Sequence, residues 1–380
     1  MKENLGIKKI NESRILEGII RQEKISRSDL AKLTGLTKAS ISTITKRLIQ
    51  DGLIIETGSG EASVQGGPKP IFLEFNPKSA LALSFDLNVN GIKGTLAYLN
   101  GEAIATIPKK NCPISADTIV GLIETYAKEL CANKPEGIPI IGMTIAIGGI
   151  VYQNKIIFTP YNDLNQIDLY EQLSHQYDFP IFIENGANLA ALGEYVYAVK
   201  TQTLVNISIH NGIGAGIIIN GHINEGEHGE AGEIGHSILY PKGKKCPCGN
   251  EGCLEQYASN TILYQIIAKQ KNLDTVNASV VKKLYDENDP ETISELENNA
   301  FLLGIAINNI MTVYDPEIIL INSSIYRLMP SLLELVTKNL NSKFSENVQI
   351  KNGQLGEQAI LLGGVALCCQ KYLGIKDLKF

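Results

Sequence analysis

At 380 residues, 44% hydrophobic and 19% charged, the chain is long enough for two or three domains with sizeable cores. No apolar run approaches the roughly 18 residues of a membrane span. The opening MKENLGIKKINESR has no apolar signal-peptide core, so a cytoplasmic protein with no membrane partner is expected. Net charge is −6 but uneven: residues 1–80 hold 13 Lys and Arg against 9 Asp and Glu, the other 300 hold 21 against 31. A basic front on an acidic body points the N-terminal segment towards a polyanion.

In chain order, Ile15, Leu16, Ile19 and Ile20 put an apolar stripe on a first helix. Ser26 or Ser28 caps a second, with Leu30, Ala31 and Leu33 inward. Gly35 then breaks the pattern, as between the helices of a helix-turn-helix. Thr37 starts a third helix that ends at Asp51-Gly52, with Ile41, Ile44, Leu48 and Ile49 inward. Its other face carries Lys38, Ser40, Ser42, Thr43, Lys46 and Arg47, and no acid lies between Thr34 and Gln50. Short hydroxyl donors suit base edges and cations suit phosphates, so Thr37 and these six are the expected contacts to double-stranded DNA. A helical dimerisation domain is the alternative. Two β-like runs, Leu53–Glu56 and Pro70–Phe75, flank a glycine-rich stretch and read as a wing.

The pattern then changes to strands. Leu81–Leu87, Gly94–Leu99 and Ala103–Ile107 read as an antiparallel meander with Asn100-Gly101 at a turn. A helix near 116–130 and the strand Ile140–Ala146 follow, and Gly148-Gly149 forms a turn that lets backbone approach a ligand. Ile181–Ile183 is a strand, and Glu184-Asn185-Gly186-Ala187-Asn188 leads into a helix to about Tyr197. Thr203–Ser208 and Ile217–Ile219 are strands on either side of a glycine turn at His210–Gly216. Helices near 262–269, 291–313 and 329–339, a strand at Ile318–Ile321 and a final helix opened by Gly363-Gly364 complete the pass.

One stretch carries chemistry by itself. His236, Cys246, Cys248 and Cys253 lie within eighteen residues, which fits a closed, tetrahedral Cys3His zinc site, one structural ion per chain. Four ordinary packed residues are the bland alternative. Glu233 and Glu255 flank the ligands, and a metal-bound imidazole offers its second nitrogen to a carboxylate or a ligand hydroxyl. Glu233, His236 and Glu255 therefore read as one wall of a polyol pocket, or else as simple surface acids.

The run Gly-Glu-Ala-Gly-Glu-Ile-Gly-His, followed by Cys-Pro-Cys-Gly-Asn-Glu-Gly-Cys-Leu-Glu, resembles the signature of the ROK family of repressors, open reading frames and sugar kinases. The resemblance covers essentially the whole chain. It implies an α/β fold: an N-terminal winged helix-turn-helix (1–78) ahead of a two-lobed, actin-like (ribonuclease-H-like) body. The first lobe would be 79–200, completed by about 363–380, and the second 201–362 with the zinc site. The resemblance also places Gly149, Asn162, Asn185, Glu233, His236 and Glu255 around a sugar in the cleft between the lobes. Asn162 follows an extra Tyr161. The family's wing often reads Gly-Gly-Arg-Arg-Pro; here it is Gly66-Gly67-Pro68-Lys69-Pro70, which leaves Lys69 as the wing's expected DNA contact.

Kinases of the family carry Glu-Asn-Asp-Ala-Asn, whose Asp takes the proton from the attacking hydroxyl. Here Gly186 stands at that place, and Asp86-Leu-Asn-Val-Asn replaces their Asp-x-Gly-Gly-Thr phosphate hairpin. Losing general-base assistance typically costs about 10²–10⁴ in rate. The expected protein is thus a non-enzymatic, sugar-responsive transcriptional regulator. It is a repressor of carbohydrate-utilisation genes, a homodimer or tetramer on operator DNA, with xylose, glucose or an amino sugar as effector. A ROK sugar kinase, or a bifunctional kinase and regulator, is the rival.

Overall fold

The computed structural model describes residues 10–59, 71–88, 91–160 and 162–380. The head opens with α1 (Ile10–Gln22), which buries Ile15, Leu16, Ile19 and Ile20. It continues through β1 (Lys24–Ser26), α2 (Arg27–Thr34), α3 (Lys38–Gln50), β2 (Ile54–Ser59) and β3 (Ile71–Phe75). The Ser26 hydroxyl accepts the Asp29 N–H at 3.2 Å and caps α2, and Gly35 ends that helix at φ 71°. A residue with a Cβ is strained in that left-handed conformation, so the turn between α2 and α3 is built on glycine. Thr37 caps α3 by accepting the Ser40 N–H. The strands pair antiparallel in the order β1-β3-β2, a winged helix-turn-helix. The wing tip, with Lys69, lies outside the described residues. Leu33 differs from its expected place: it is 55% exposed.

In the body, β4 (Leu81–Asn88), β5 (Gly91–Tyr98) and β6 (Ala103–Asn111) form the meander, and α4 (Ile119–Cys131) precedes β7 (Ile140–Ile147). The hairpin β8 (Ile150–Tyr152) and β9 (Lys155–Phe158), then α5 (Leu169–Ser174), β10 (Ile181–Asn185) and α6 (Gly186–Tyr197) come next. The first sheet has the order β10-β7-β4-β5-β6. A second sheet is built from β11 (Thr203–Ile209), β12 (Ile213–Ile219), β13 (His222–Ile223), β14 (Ile318–Ser323) and β15 (Gln349–Asn352), in the order β13-β12-β11-β14-β15. Around it lie α7 (Glu255–Ala258), α8 (Asn260–Lys271), α9 (Ala278–Asp286), α10 (Pro290–Tyr314), α11 (Ser324–Leu328) and α12 (Leu332–Lys338), and α13 (Ala359–Leu373) is the last helix. One face of the second sheet, through Val205, Ile207, Ile319 and Ile321, shares a core with Leu303 and Ile307 of α10.

The chain divides into two compact units, Met1–Ala146 with Asp163–Ile183 and Gly364–Phe380, and Ile147–Asn162 with Glu184–Gly363. In the first, the Thr144 hydroxyl donates to the Gly364 carbonyl at 2.9 Å, which ties α13 to β7. In the second, the expected glycine turn at His210–Gly216 is mostly strand: β12 starts at Ile213, paired with Ile209. A Cβ at Gly216 would collide with the Ala187 carbonyl of α6. The glycines of β12 therefore let a helix lie close on the strand, the usual meaning of glycine in a strand interior.

Candidate functional site

The loop from β13 to α7 doubles back on itself. Gly252, at φ 89°, packs so closely on the Tyr240 carbonyl that no side chain fits there. Bridges between Ile238 and Cys253 and between Lys245 and Glu251 hold the returning strands. The result gathers His236, Cys246, Cys248 and Cys253 with their ligand atoms within 4.8 Å of one another. Cys248 Sγ lies 3.6 Å from Cys253 Sγ, and Cys246 Sγ 3.5 Å from His236 Nδ1. A tetrahedral ion with metal–sulfur bonds of about 2.3 Å would hold its sulfurs about 3.8 Å apart, so this cluster could hold a metal ion. Burial pushes the Cys246 thiol up to about 12, so a metal has to displace its proton to bind.

The two acids sit on opposite edges of the imidazole. Glu233 Oε2 is 3.7 Å from His236 Nε2, and Glu255 Oε1 is 3.7 Å from Nδ1. With Nδ1 turned to Cys246, Nε2 and Glu233 form the side that can meet a ligand. Burial holds the Glu233 carboxyl above its usual range; the charges of Glu255 and Glu230 add to this and His236 opposes it. A carboxylate accepts from a sugar hydroxyl, and its protonated form can also donate to one.

Asn185 caps α6, its side-chain oxygen accepting the N–H groups of Ala187 at 2.6 Å and Asn188 at 3.2 Å. Its amide donates to the Gly149 carbonyl at 2.7 Å. The cap role is thus occupied, and one amide hydrogen remains for a ligand. The structure brings the sugar-pocket candidates together in two groups, Gly149 with Asn185 and Glu233 with His236 and Glu255. Both hang on the start of β12: Gly214 would place a Cβ 3.5 Å from Ala187, and Gly212 one 2.8 Å from Glu255 Oε2. Asn162 lies in the loop after β9, where its carbonyl accepts the Thr159 hydroxyl at 2.8 Å; Tyr161 is outside the described residues. Gly186 opens α6, and a Cβ there would meet nothing nearer than 3.7 Å. Asp86 is buried in β4, and burial holds its carboxyl above the usual range, with Lys93 and Lys109 opposing. The rest of that hairpin, Val89 and Asn90, is outside the described residues.

On α3, Thr37, Lys38, Ser42, Thr43 and Lys46 are exposed and Ser40 is half-buried. The Thr37 and Ser40 hydroxyls bond each other at 2.9 Å, and Thr43 donates to the Ala39 carbonyl at 3.0 Å. The Arg47 guanidinium is 41% exposed at its side chain and pairs with Glu12 of α1, whose side chain is only 5% exposed.

A family model described as ROK family matches residues 84–371, and one described as MarR family matches residues 5–62. The chain belongs to the ROK family. This ROK chain is 32% identical over 382 residues to the xylose repressor of Bacillus subtilis (strain 168), covering 97% of each. It resembles the crystal structure of a ROK family transcriptional regulator, a homologue of the E. coli MLC protein, with a TM-score of 0.82, 27% identity and 97% of both chains covered. A ROK glucokinase from Streptomyces griseus, solved with glucose and AMPPNP, shares the body's fold (TM-score 0.68, 24% identity), with 76% of this chain covering 99% of that one. A winged helix-turn-helix followed by an α/β ROK body of the sugar-kinase type is the fold expected from the sequence.

Three supporting residues escaped the sequence reading. Glu184, buried, accepts the Asn185 N–H at 2.7 Å and the Asn188 amide at 3.0 Å, which fixes the cap. Gln256 donates to Glu255 at 3.4 Å and to Cys246 Sγ at 3.7 Å. Glu12 anchors Arg47. Glu184 and Gln256 adjoin residues already singled out, which was the available signal; Glu12 had none.

Proposed function

We propose that this chain is a sugar-responsive transcriptional repressor of carbohydrate-utilisation genes. Its head binds double-stranded operator DNA, and a small sugar on the body releases or modulates that binding. The observation that carries the reading is the division of labour along the chain. A kinase-fold body accounts for nearly the whole of the S. griseus glucokinase, and the remainder is a winged head whose α3 presents exposed hydroxyls and lysines. Full-length likeness to a protein named xylose repressor supports it and puts xylose ahead of glucose and amino sugars.

In this proposal Thr37, Ser40, Ser42 and Thr43 meet base edges, and Lys38, Lys46 and Lys69 meet phosphates. Arg47 acts through Glu12, holding α3 against α1. Gly149, Asn162, Asn185, Glu233, His236 and Glu255 bind the sugar. His236, Cys246, Cys248 and Cys253 hold one structural zinc ion, which fixes the imidazole for its sugar contact. The head spans 1–78 and the lobes 79–200 and 201–362, with about 363–380 completing the first. The protein works as a homodimer or tetramer, since one recognition helix reads only a few base pairs. It is not an enzyme, because glycine at 186 supplies no base.

Calorimetry with xylose, glucose and N-acetylglucosamine, beside a coupled ATP assay, tests this on the wild type and Gly186→Asp. A Cβ at residue 186 would meet nothing nearer than 3.7 Å. One sugar should bind both proteins, and neither should transfer phosphate above background, since positioning supplies much of phosphoryl-transfer catalysis. Turnover by the wild type would promote the kinase reading, and no binding of any sugar would sink the sensor.

A further inference from the structure

We infer that the segment after α13, Gly374–Phe380, latches the head to the body and carries the sugar signal to it, with Asp377 and Phe380 as the positioning residues. Gly374, at φ 67°, ends α13 with its N–H on the Gln370 carbonyl at 3.0 Å. The six residues that follow do not trail into solvent. Ile375 and Leu378 are buried, and the Gln370 amide donates to the Lys376 carbonyl, which ties the segment back to the helix. Three contacts then land on the head, which lies in the same compact unit. Asp377 Oδ2 is 2.6 Å from Arg21 Nη2 of α1. The Phe380 and Phe75 rings, the second on β3, have centroids 5.6 Å apart. The Ser13 hydroxyl of α1 donates to the carbonyl of Leu373, the last residue of α13, at 3.1 Å. A half-exposed ion pair alone is worth little. Joined to an aromatic pair and two buried aliphatic side chains, it holds the head at α1 and β3 together.

The other end of α13 leads to the proposed sugar site. Its residues up to Gly363 belong to the second unit, and the helix continues from Gly364 in the first. Within the second unit, a Cβ at Gly193 of α6 would run into the Ala359 carbonyl, and one at Gly363 into the Leu189 carbonyl of α6. The two helices therefore meet backbone to backbone, and α6 is the helix that Asn185 caps. On the head, α1 gives Ser13 and Arg21 to the latch and Glu12 to Arg47 of α3. A line of packed elements thus runs from Asn185 through α6, α13, the latch and α1 to the helix proposed to read DNA. Packed helices joined by hydrogen bonds and ion pairs are the physical means by which coupling travels between sites. The inference deepens the sensor reading proposed above and rests on it.

Operator affinity of the full chain, with and without saturating xylose, glucose or N-acetylglucosamine, tests the inference on three proteins. One is the wild type. The second carries Asp377→Arg and Phe380→Ala, which turn the ion pair into a like-charge pair and remove the ring. The third carries Asp377→Glu and Phe380→Tyr, which keep the charge and the ring. One sugar should shift operator affinity at least about fivefold in the wild type and the conservative variant, and less than about twofold in the unlatched variant. Hydrogen exchange should show the amides of Lys376–Phe380 protected in the first and third proteins and open in the second. Calorimetry should show the unlatched variant still binding the sugar, which separates lost transmission from a lost pocket. An unlatched variant that keeps its fivefold response, keeps those amides protected, or loses the sugar itself would overturn the inference while leaving the sensor reading in place. A wild type whose operator affinity ignores all three sugars would remove the sensor reading, and the latch's role with it.

Discussion

Removing the Arg47 guanidinium should destabilise the head far more than removing its partner. Glu12 is 5% exposed at its side chain and Arg47 41%. Arg47→Met leaves a carboxylate buried among the core residues of α1 without its cation, a situation that costs about 3–5 kcal/mol. Water reaches the half-exposed arginine position, so the lower end, about 3 kcal/mol, is expected. Glu12→Met leaves a cation that solvent already hydrates, at a cost under about 1 kcal/mol. With both replaced, no charge is stranded and stability should return to within about 1 kcal/mol of the wild type. The assay is hydrogen exchange of α1 and α3 amides in the full chain, which reads local opening free energy without assuming two-state unfolding. Operator affinity should fall in Arg47→Met and recover in the double variant. If Arg47 instead holds a phosphate, the double variant stays weak and its salt slope drops by about one unit. That result, or an Arg47→Met cost below about 1 kcal/mol, would refute the reasoning.

Lys46→Ala should weaken binding to every DNA sequence alike and lower the salt slope by about one unit, whereas Ser42→Ala should alter base preference at similar overall affinity; anisotropy titrations on varied operators separate the two. Native mass spectrometry should count about one zinc ion per wild-type chain, and Cys248→Ser should lose it and with it most of the sugar affinity. Zinc affinity of the wild type should fall as pH is lowered. The Cys246 thiol is pushed up to about 12, so at neutral pH its proton is displaced on binding, at about tenfold per pH unit per proton. A flat pH profile between pH 6 and 8 would contradict this. Gly216→Ala, which drives a methyl into the Ala187 carbonyl of α6, should lower stability by about 1–3 kcal/mol and weaken sugar binding through the Asn185 cap; unchanged thermal unfolding would contradict it.

What could be read from the sequence was whatever is encoded locally. The head showed itself through an apolar stripe, two capping hydroxyls and a helix-breaking glycine, all within a few residues of the elements they define. The cluster of His236 with Cys246, Cys248 and Cys253 did so because its four donors share one loop. The glycines at 214 and 216 misled for a physical reason: glycine marks both a turn and a close helix–strand approach, and only the presence of α6 decides between them. Edge strand β15 is short and is defined by its pairing with β14 from a distant segment, whereas the hairpin of β8 and β9 pairs within itself and helix α9 is amphipathic, and the sequence reading missed both. The Glu12–Arg47 pair joins residues on different helices, and no periodicity announces it. Asn185 is the instructive case, since an Asn just before a helix is a cap signal that was legible, and its bond to Gly149 was not.

The dissociation constant for operator DNA, measured as sugar is titrated in the absence of ATP, tests the central claim most directly. A sensor's sugar shifts DNA affinity by its differential affinity for the two states, and DNA must shift sugar affinity by the same factor. The account predicts that xylose, or one of the other two sugar types, changes operator affinity at least about fivefold, saturably, with the reciprocal change seen by calorimetry. Operator affinity that stays constant through saturating xylose, glucose and N-acetylglucosamine would contradict it.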